Sequence, residues 1–368
     1  MKKKNLCKTL LKTMCIVLGI LILALLAYIV YLYASYYRIE DNQELVVEAP
    51  VDDTTTGAAA VLATDTEYSA VTYNIGFGAY LPDYSFFMDG GTSSWAESPE
   101  TVQYAINGAG ELVKSLDPDF ALIQEIDLDA TRSYHTDEYE MLRNLLPEYT
   151  TVFAQNYDSA FLFYPFTQPH GSSRAGLGLF SKYPVSSALR RSFPISTSFS
   201  KFFDLDRCYS VSRIPVDNGK ELVIFNLHMS AYGNSDEIRK GQIEMLCNDM
   251  AKEYEAGNYV LCGGDFNHDL KASEEDTESC ESWAFPFPRT ELPEHFAFCL
   301  DLLSSEEQAA LWNSARNADM EYVPGVTYTV TLDGFIISDN IECLSYENVN
   351  TGYSYSDHDP VKVEFVLK

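Results

Sequence analysis

The feature that most restricts how this chain can fold is a repeated one: a short apolar run that stops abruptly on a polar residue. The stretch Tyr259-Val260-Leu261-Cys262-Gly263-Gly264-Asp265-Phe266-Asn267 shows it best. Its apolar start predicts a buried strand. Its two glycines let another backbone or a ligand approach closely. Asp265 and Asn267 follow with one residue between them, and alternate residues of an extended segment point the same way, so both side chains reach one site. An ionised carboxylate beside a neutral amide suits phosphate chemistry: one handles a proton or a water, the other donates to a phosphoryl oxygen. In isolation the same tripeptide is an ordinary turn or helix cap.

The pattern recurs along the chain. Residues 69–75 read as a strand ending near Asn74, with Gly76 and Gly78 after it. The run 120–124 stops on Glu125, and a carboxylate after so apolar a run is more than a solvated face. The strand 221–228 ends on His228. Residues 326–330 and 335–337 are β-prone, with Asp333 between them. Asp357 and His358 stand just before the alternating strand 361–366. Each polar end has a bland reading of its own: a turn Asn, a paired structural Glu, a satisfied core His. Their number and order predict something else, a β-rich domain whose strand ends converge on one cleft. Helices are expected between the strands. One opens at Ser98-Pro99-Glu100, with Ser98 as N-cap and Val102, Ile106, Val113 and Leu116 facing inward. Others are expected at 138–146, 235–254 and 305–313, the last inside an acidic excursion over 271–325. Residues 172–181 turn from a Gly/Ser loop into a strand. Arg174 and Arg207 are candidates to meet a phosphate, with surface arginine as the alternative reading.

The N-terminus is different in kind. Five lysines, at positions 2, 3, 4, 8 and 12, precede an uncharged run of 25 residues, 13–37. As a helix that run spans about 37 Å, against a hydrocarbon core of roughly 30 Å. Tyr28, Tyr31, Tyr33, Tyr36 and Tyr37 gather at its far end, as in an aromatic belt. The expected organisation is a cytoplasmic basic tail over 1–12, a single transmembrane anchor over 13–37, an acidic flexible linker over 38–66 and one extracytoplasmic domain over 67–368. A cleaved signal peptide is the rival, opposed by the length of the run and the tyrosines after it. The net charge is −29, and since 1–12 carry five lysines and no acid, the remainder carries −29 − 5 = −34. Such a surface repels nucleic acid unless cations intervene, but tolerates a small phosphorylated substrate held at a metal. Eight cysteines show no Cys-x-x-Cys or zinc spacing.

With Gln124-Glu125, Gly264-Asp265-Phe266-Asn267 and Ser356-Asp357-His358-Asp359-Pro360-Val361 in this order, the chain resembles the endonuclease/exonuclease/phosphatase superfamily over roughly residues 67–368. The resemblance implies an α/β (α+β) four-layer sandwich of two mostly antiparallel mixed β-sheets, packed face to face and flanked by helices. It implies Glu125 as metal ligand, with Asn74 and Asp357 at or near the metal. Asp265 resembles the acid/base, Asn267 a phosphoryl-oxygen donor, and His358 the histidine beside the phosphate with Asp333 holding its ring. His228 matches the second histidine of DNase-like and sphingomyelinase-like members. The chain departs from the family at Asn74-Ile75-Gly76, where a second ligand is missing, and after Asp333, where several relatives carry Tyr. Carboxylates gathered in one cleft repel by roughly 4 kcal/mol per pair at about 4 Å and an effective dielectric near 20. An all-oxygen donor set then favours Mg²⁺, with Mn²⁺ as substitute. The expected function is a membrane-anchored, extracytoplasmic hydrolase of a phosphodiester or phosphomonoester, acting by in-line attack of water. A lipid head group or small phosphoester is the favoured substrate. An extracellular DNA or RNA nuclease is the alternative, and a non-catalytic binding module on the same scaffold the third reading.

Overall fold

The computed structural model describes residues 2–52, 61–202, 204–231, 236–273 and 284–368. The chain divides into two compact units, Met1–Arg38 and Ile39–Lys368. The first is the helix α1 (Lys2–Ser35). Its segment Leu6–Ser35, 30 residues, is long and apolar enough to cross a membrane.

The second unit is built on two seven-stranded sheets. In chain order the strands are β1 (Gln43–Glu44), β2 (Val47–Glu48), β3 (Glu67–Asn74), β4 (Phe120–Ala130), β5 (Thr150–Leu162), β6 (Gly171–Ser181), β7 (Ser187–Ser192) and β8 (Cys208–Pro215). They continue with β9 (Glu221–His228), β10 (Tyr259–Asp265), β11 (Phe296–Phe298), β12 (Ala315–Arg316), β13 (Thr329–Val330), β14 (Asp333–Ser338), β15 (Ile341–Asn348) and β16 (Val361–Leu367). One sheet runs β15-β16-β3-β4-β6-β5-β2, the other β1-β7-β8-β9-β10-β14-β11, and β12-β13 form a small ribbon. Among the described residues only β3–β4 and β9–β10 pair in parallel within the large sheets. Ala70, Phe120 and Leu122 of one sheet share a core with Val223, Phe225 and Leu261 of the other. Gly263 lies so close to Leu122 that a Cβ there would stand 3.2 Å from its methyl group.

Helices cover both outer faces. α2 (Pro99–Leu116) starts where Ser98 and Thr101 close a capping box around Pro99, and stops at Asp117, left-handed at φ 47 before Pro118. Its Val102, Ile106, Ala109 and Val113 pack with Tyr73, Ala121 and Ile123, joined by Leu142 of α3 (Glu138–Leu145). On the other side Ile243, Leu246 and Met250 of α4 (Asp236–Glu255) join the inter-sheet core. The short α5 (Ser305–Ala310) completes the set. The expected four-layer sandwich is therefore the observed fold.

Three expectations need restating. The segment 38–66, read as a tether, is partly strapped to the body: β1 pairs with β7, β2 with β5, and Leu62 is fully buried beside Val216. Leu45, Val47 and Leu62 pack against the main core and supply the apolar surface that docks it. Residues 53–60, the proposed helix start at Ser235 and residues 274–283 of the excursion lie outside the described residues. Residues 172–174 are strand rather than loop, because Ser173 pairs with both Ala130 and Ser159.

Candidate active site

The site forms at the ends of β3, β9 and β10, the start of β14 and a bulge in the middle of β4. Parallel pairing aligns Asn74 with Gln124, and Asp265 with His228. Antiparallel pairing sets Asp265 opposite Asp333. At Glu125 the β4–β6 register slips between Ile123 and Ile126, and Glu125 takes φ 57. This bulge turns its side chain out of the sheet's alternation and into the cleft, a distortion of the kind often found beside functional sites.

The side chains meet. Nδ2 of Asn74 donates to Oε1 of Glu125 at 3.2 Å and to Oδ2 of Asp265 at 3.1 Å, and its Oδ1 accepts from the Gly76 amide at 3.0 Å. Nε2 of His228 lies 3.5 Å from Asp265 Oδ2 and 3.8 Å from Glu125 Oε1. Nδ1 of His358 bonds Oδ2 of Asp333 at 2.7 Å, while its Nε2 faces Asp265 at 3.9 Å. The same Asp333 oxygen accepts from the Ser314 hydroxyl at 2.7 Å. Thus Asn74, Glu125, His228, Asp265, Asp333 and His358 form one connected cluster. Asp357 adjoins it: Glu125 and His358 both act on its charge, and Ser356, whose hydroxyl donates to the Asn74 carbonyl, touches its Oδ1.

Asn267 arrives by a different route from the alternation expected. β10 ends at Asp265, and Asn267 adopts φ 50. Its amide folds back onto Oδ1 of Asp265 at 2.8 Å, and its Nδ2 donates to the Met229 carbonyl at 2.9 Å. An Asx-type turn, not strand periodicity, sets it beside Asp265. Arg174 is exposed and paired with Asp129 at 3.0 Å. Arg207 is 7 % exposed, with Nε and Nη1 buried and unpartnered. It directly precedes β8, whose Tyr209 pairs with Leu227, the neighbour of His228.

Burial separates the charge states. It pushes Asp265 up to about 7, helped by repulsion from Asp333. Asp357 is raised by burial too. Burial and the nearby Arg207 hold His228 well below the usual imidazole range, so its contacts to Asp265 and Glu125 are those of a neutral ring. For His358 burial works the same way, but Asp333 outweighs it and holds the imidazole well above its ordinary range. Asp265, Asp333 and His358 present ligand atoms within 4.8 Å of one another, a spacing that can hold a metal. A protonated His358 has no lone pair to offer, and Asp333 Oδ2 is taken by His358 and Ser314, so that pair is built to handle a proton. Glu125, Asp357 and the buried, unpartnered Oδ1 of Asp333 are the carboxylate oxygens that could face a cation. Gly76, φ +53, lets Tyr80 and Ser356 close on Asp357: a Cβ there would fall 2.7 Å from the Tyr80 ring and 3.1 Å from Asp357 Oδ1. Hard oxygen donors, a buried and unpartnered one among them, fit a divalent cation.

Several contributors carry no sequence signal. Ser314, from a segment without period, fixes Asp333. Arg316 sits beside Asp357, tied to the Tyr80 and Leu81 carbonyls. Asp89, from an aromatic loop, is pushed up to about 7 by burial and then by Asp357 and Glu125. Gln124 and Asn226 flank the site and bond at 2.8 Å across the two sheets.

Residues 71–302 match the family model described as "Endonuclease/Exonuclease/phosphatase family". No curated protein sequence matches the chain. Solved structures do resemble it. An endonuclease/exonuclease/phosphatase from Beutenbergia cavernae is 15% identical with TM-score 0.54, covering 82% of this chain and 72% of its own. One from Bacteroides vulgatus is 17% identical with TM-score 0.54, covering 83% and 100%. TDP2 from D. rerio, complexed with a single-strand DNA product, is 14% identical with TM-score 0.54, covering 82% and 99%.

Proposed function

From a chain that belongs to the endonuclease/exonuclease/phosphatase family, and is a metal-dependent phosphoric ester hydrolase, we propose a membrane-anchored, extracytoplasmic enzyme that hydrolyses a phosphodiester or phosphomonoester by in-line attack of water. Glu125 and Asp357 would hold the cation, and Asn74 orients Glu125 and Asp265 through its amide nitrogen. Mg²⁺, or Mn²⁺ in its place, supplies positive charge to the phosphoryl oxygens when bound. Asp265 takes the proton of the attacking water. His358, kept protonated by Asp333, donates to a phosphoryl oxygen as negative charge grows there. Asn267 gives one N–H to Met229 and keeps the other for the phosphate. Neutral His228 steadies Asp265 and Glu125. Arg207 is the substrate-binding arginine of this reading, its buried Nε and Nη1 having no hydrogen-bond partner. Arg174 has no such role, being engaged by Asp129.

The observation that carries this reading is the unbroken chain of contacts from Glu125 through Asn74 and Asp265 to His358 and Asp333. A lipid head group or small phosphoester suits the −34 charge of residues 13–368. A nuclease is the second reading, favoured by the DNA product in the TDP2 complex. The test is hydrolysis of bis-p-nitrophenyl phosphate by the full chain and by Asp265→Ala and His358→Ala. Both variants should lose turnover by at least about 100-fold. Unchanged turnover in both refutes the assignment.

A further inference from the structure

A second feature of the body is not explained by the chemistry. No Asp, Glu, Lys or Arg occurs from Ser159 to Ser173, in a chain whose residues 13–368 sum to −34. This stretch is the end of β5, the connection and the start of β6, closed by the pair Leu162–Gly171. At its tip Phe163 is 51 % exposed, Tyr164 61 % and Phe166 86 %, with Met88, 56 % exposed, on the neighbouring loop. The tip is held, not loose. Ser94 Oγ donates to the Gln168 carbonyl at 2.6 Å, Trp95 Nε1 to the Pro169 carbonyl at 2.7 Å, and the Tyr164 ring meets Phe87. Large exposed aromatic side chains gathered at one braced tip are the kind of patch that marks an interaction site.

Its place in the fold is informative. β6 pairs with β4 from Ser181–Phe120 through Gly178–Ile123 to Ser173–Ala130. Glu125 therefore lies level with Gly176 and Gly178, and the aromatic tip stands beyond it at the same end of the sheet. The chain joins the body at that end too. Ile39 donates its amide to Asp206 Oδ2 at 3.3 Å and accepts from Ser192. Asp206 and Arg207 lead into β8, whose Tyr209 pairs with Leu227, next to His228. Only Tyr36, Tyr37 and Arg38 separate Ile39 from Ser35, the last residue of the apolar helix. Fully extended, that connection reaches at most roughly 14 Å.

We propose that the rim of the cleft docks on a phospholipid bilayer, with Tyr164 and Phe166 seated in its interface, so that the enzyme takes its phosphoester from a lipid head group in that bilayer. The occupant is a bilayer and not a second protein because a membrane-competent helix is joined three residues from the cleft end of the body. Aromatic side chains with an apolar body and a polar edge suit the interface. The acidic body excludes attraction to anionic lipid as the cause, so docking needs no negatively charged head group. The substrate class rests on the hydrolase reading above; the docking does not.

The experiment uses the full chain reconstituted in phosphatidylcholine vesicles. Phe166→Trp places a reporter at the tip. Brominated phosphatidylcholine should quench its fluorescence at least twofold beyond the quenching of the unsubstituted protein. The double variant Tyr164→Ser/Phe166→Ser should release head group from vesicle phosphatidylcholine and sphingomyelin at least 10-fold more slowly. Its hydrolysis of bis-p-nitrophenyl phosphate should stay unchanged, which also certifies its fold. Phe166→Trp that is quenched no more than the unsubstituted protein overturns the docking. Quenching with equal head-group release by both proteins overturns the substrate class. Absence of bis-p-nitrophenyl phosphate turnover in the unsubstituted protein defeats the catalytic reading alone, leaving the quenching result to judge the docking.

Discussion

Replacing Asp333 by Asn keeps the shape of a buried side chain and removes its charge. At 2.7 Å from Nδ1, that charge attracts an imidazolium by about 6 kcal/mol at an effective dielectric near 20. Burial of the ring opposes it with a penalty of several kcal/mol. The balance leaves His358 well above its ordinary range, with Asp333 as the largest raising influence. Without the carboxylate the penalty is opposed only by the weaker pull of Asp265 and Asp357, and His358 should fall back toward the ordinary imidazole value of about 6.5. At pH 8 its protonated fraction then falls to about 3 %, a loss of roughly 30-fold in kcat/KM from protonation alone. At pH 5.5 most of that loss returns. The assay is the pH profile of bis-p-nitrophenyl phosphate hydrolysis, in which the alkaline limb of Asp333→Asn moves to lower pH. Stability follows the same sign. A folded pKa raised above the unfolded 6.5 gives stability that is full below pH 6.5 and lost as pH climbs through the folded value. The Tm gap between the two proteins is therefore widest below pH 6.5. An Asp333→Asn enzyme with the unsubstituted pH profile would refute this account of His358.

Three further outcomes are expected. Gly76→Ala puts a Cβ 3.1 Å from Asp357 Oδ1 at a left-handed position, so the Mg²⁺ needed for half-maximal turnover should rise about 10-fold, or roughly 1.4 kcal/mol; titration of activity against Mg²⁺ checks it. Asp265, pushed up to about 7 in the fold from an ordinary 3.8, makes the cation-free protein less stable as pH rises from about 4 to about 7, because the folded state then must give up a proton it holds tightly. Mg²⁺ or Mn²⁺ offsets the exposed charge, so its Tm increment should grow between pH 5 and pH 8, and a flat increment would contradict the acid cluster as the binding site. Gln124→Leu breaks the bond to Asn226 between the sheets, leaving a buried amide unsatisfied at about 1–3 kcal/mol, which denaturant unfolding can read directly.

Much of this architecture could be read from the chain. β9 and β10 are short, apolar and buried on both sides, and their boundaries emerge residue by residue from composition. α2 announced itself through Ser98 and Pro99. The polar positions were legible because each breaks an apolar run, though β4 runs on through its bulge at Glu125 to Ala130 and Asp333 opens β14. What escaped was polar or irregular. β5 is interrupted by bulges at Gln155–Tyr157 and Ser159–Leu162, so no alternation survives in it. β7 carries Arg190, fully buried with its guanidinium spent on the Gln155, Glu40 and Asp206 carbonyls, which inverts the usual polarity of a core position. β15 is an edge strand with exposed residues on both faces. Ser314 and Asp89 gain their roles only from partners distant in the chain, and no local pattern encodes that.

Hydrolysis of bis-p-nitrophenyl phosphate by the full-length protein and its Glu125→Gln variant, across a Mg²⁺ titration begun in EDTA, bears most directly on a single cation-dependent cleft. The unsubstituted protein should be silent in EDTA and recover with Mg²⁺, while Glu125→Gln requires at least about 10-fold more Mg²⁺ for half its maximal rate. Turnover that persists in EDTA, or a variant activated at the same Mg²⁺ concentration as its parent, would contradict it.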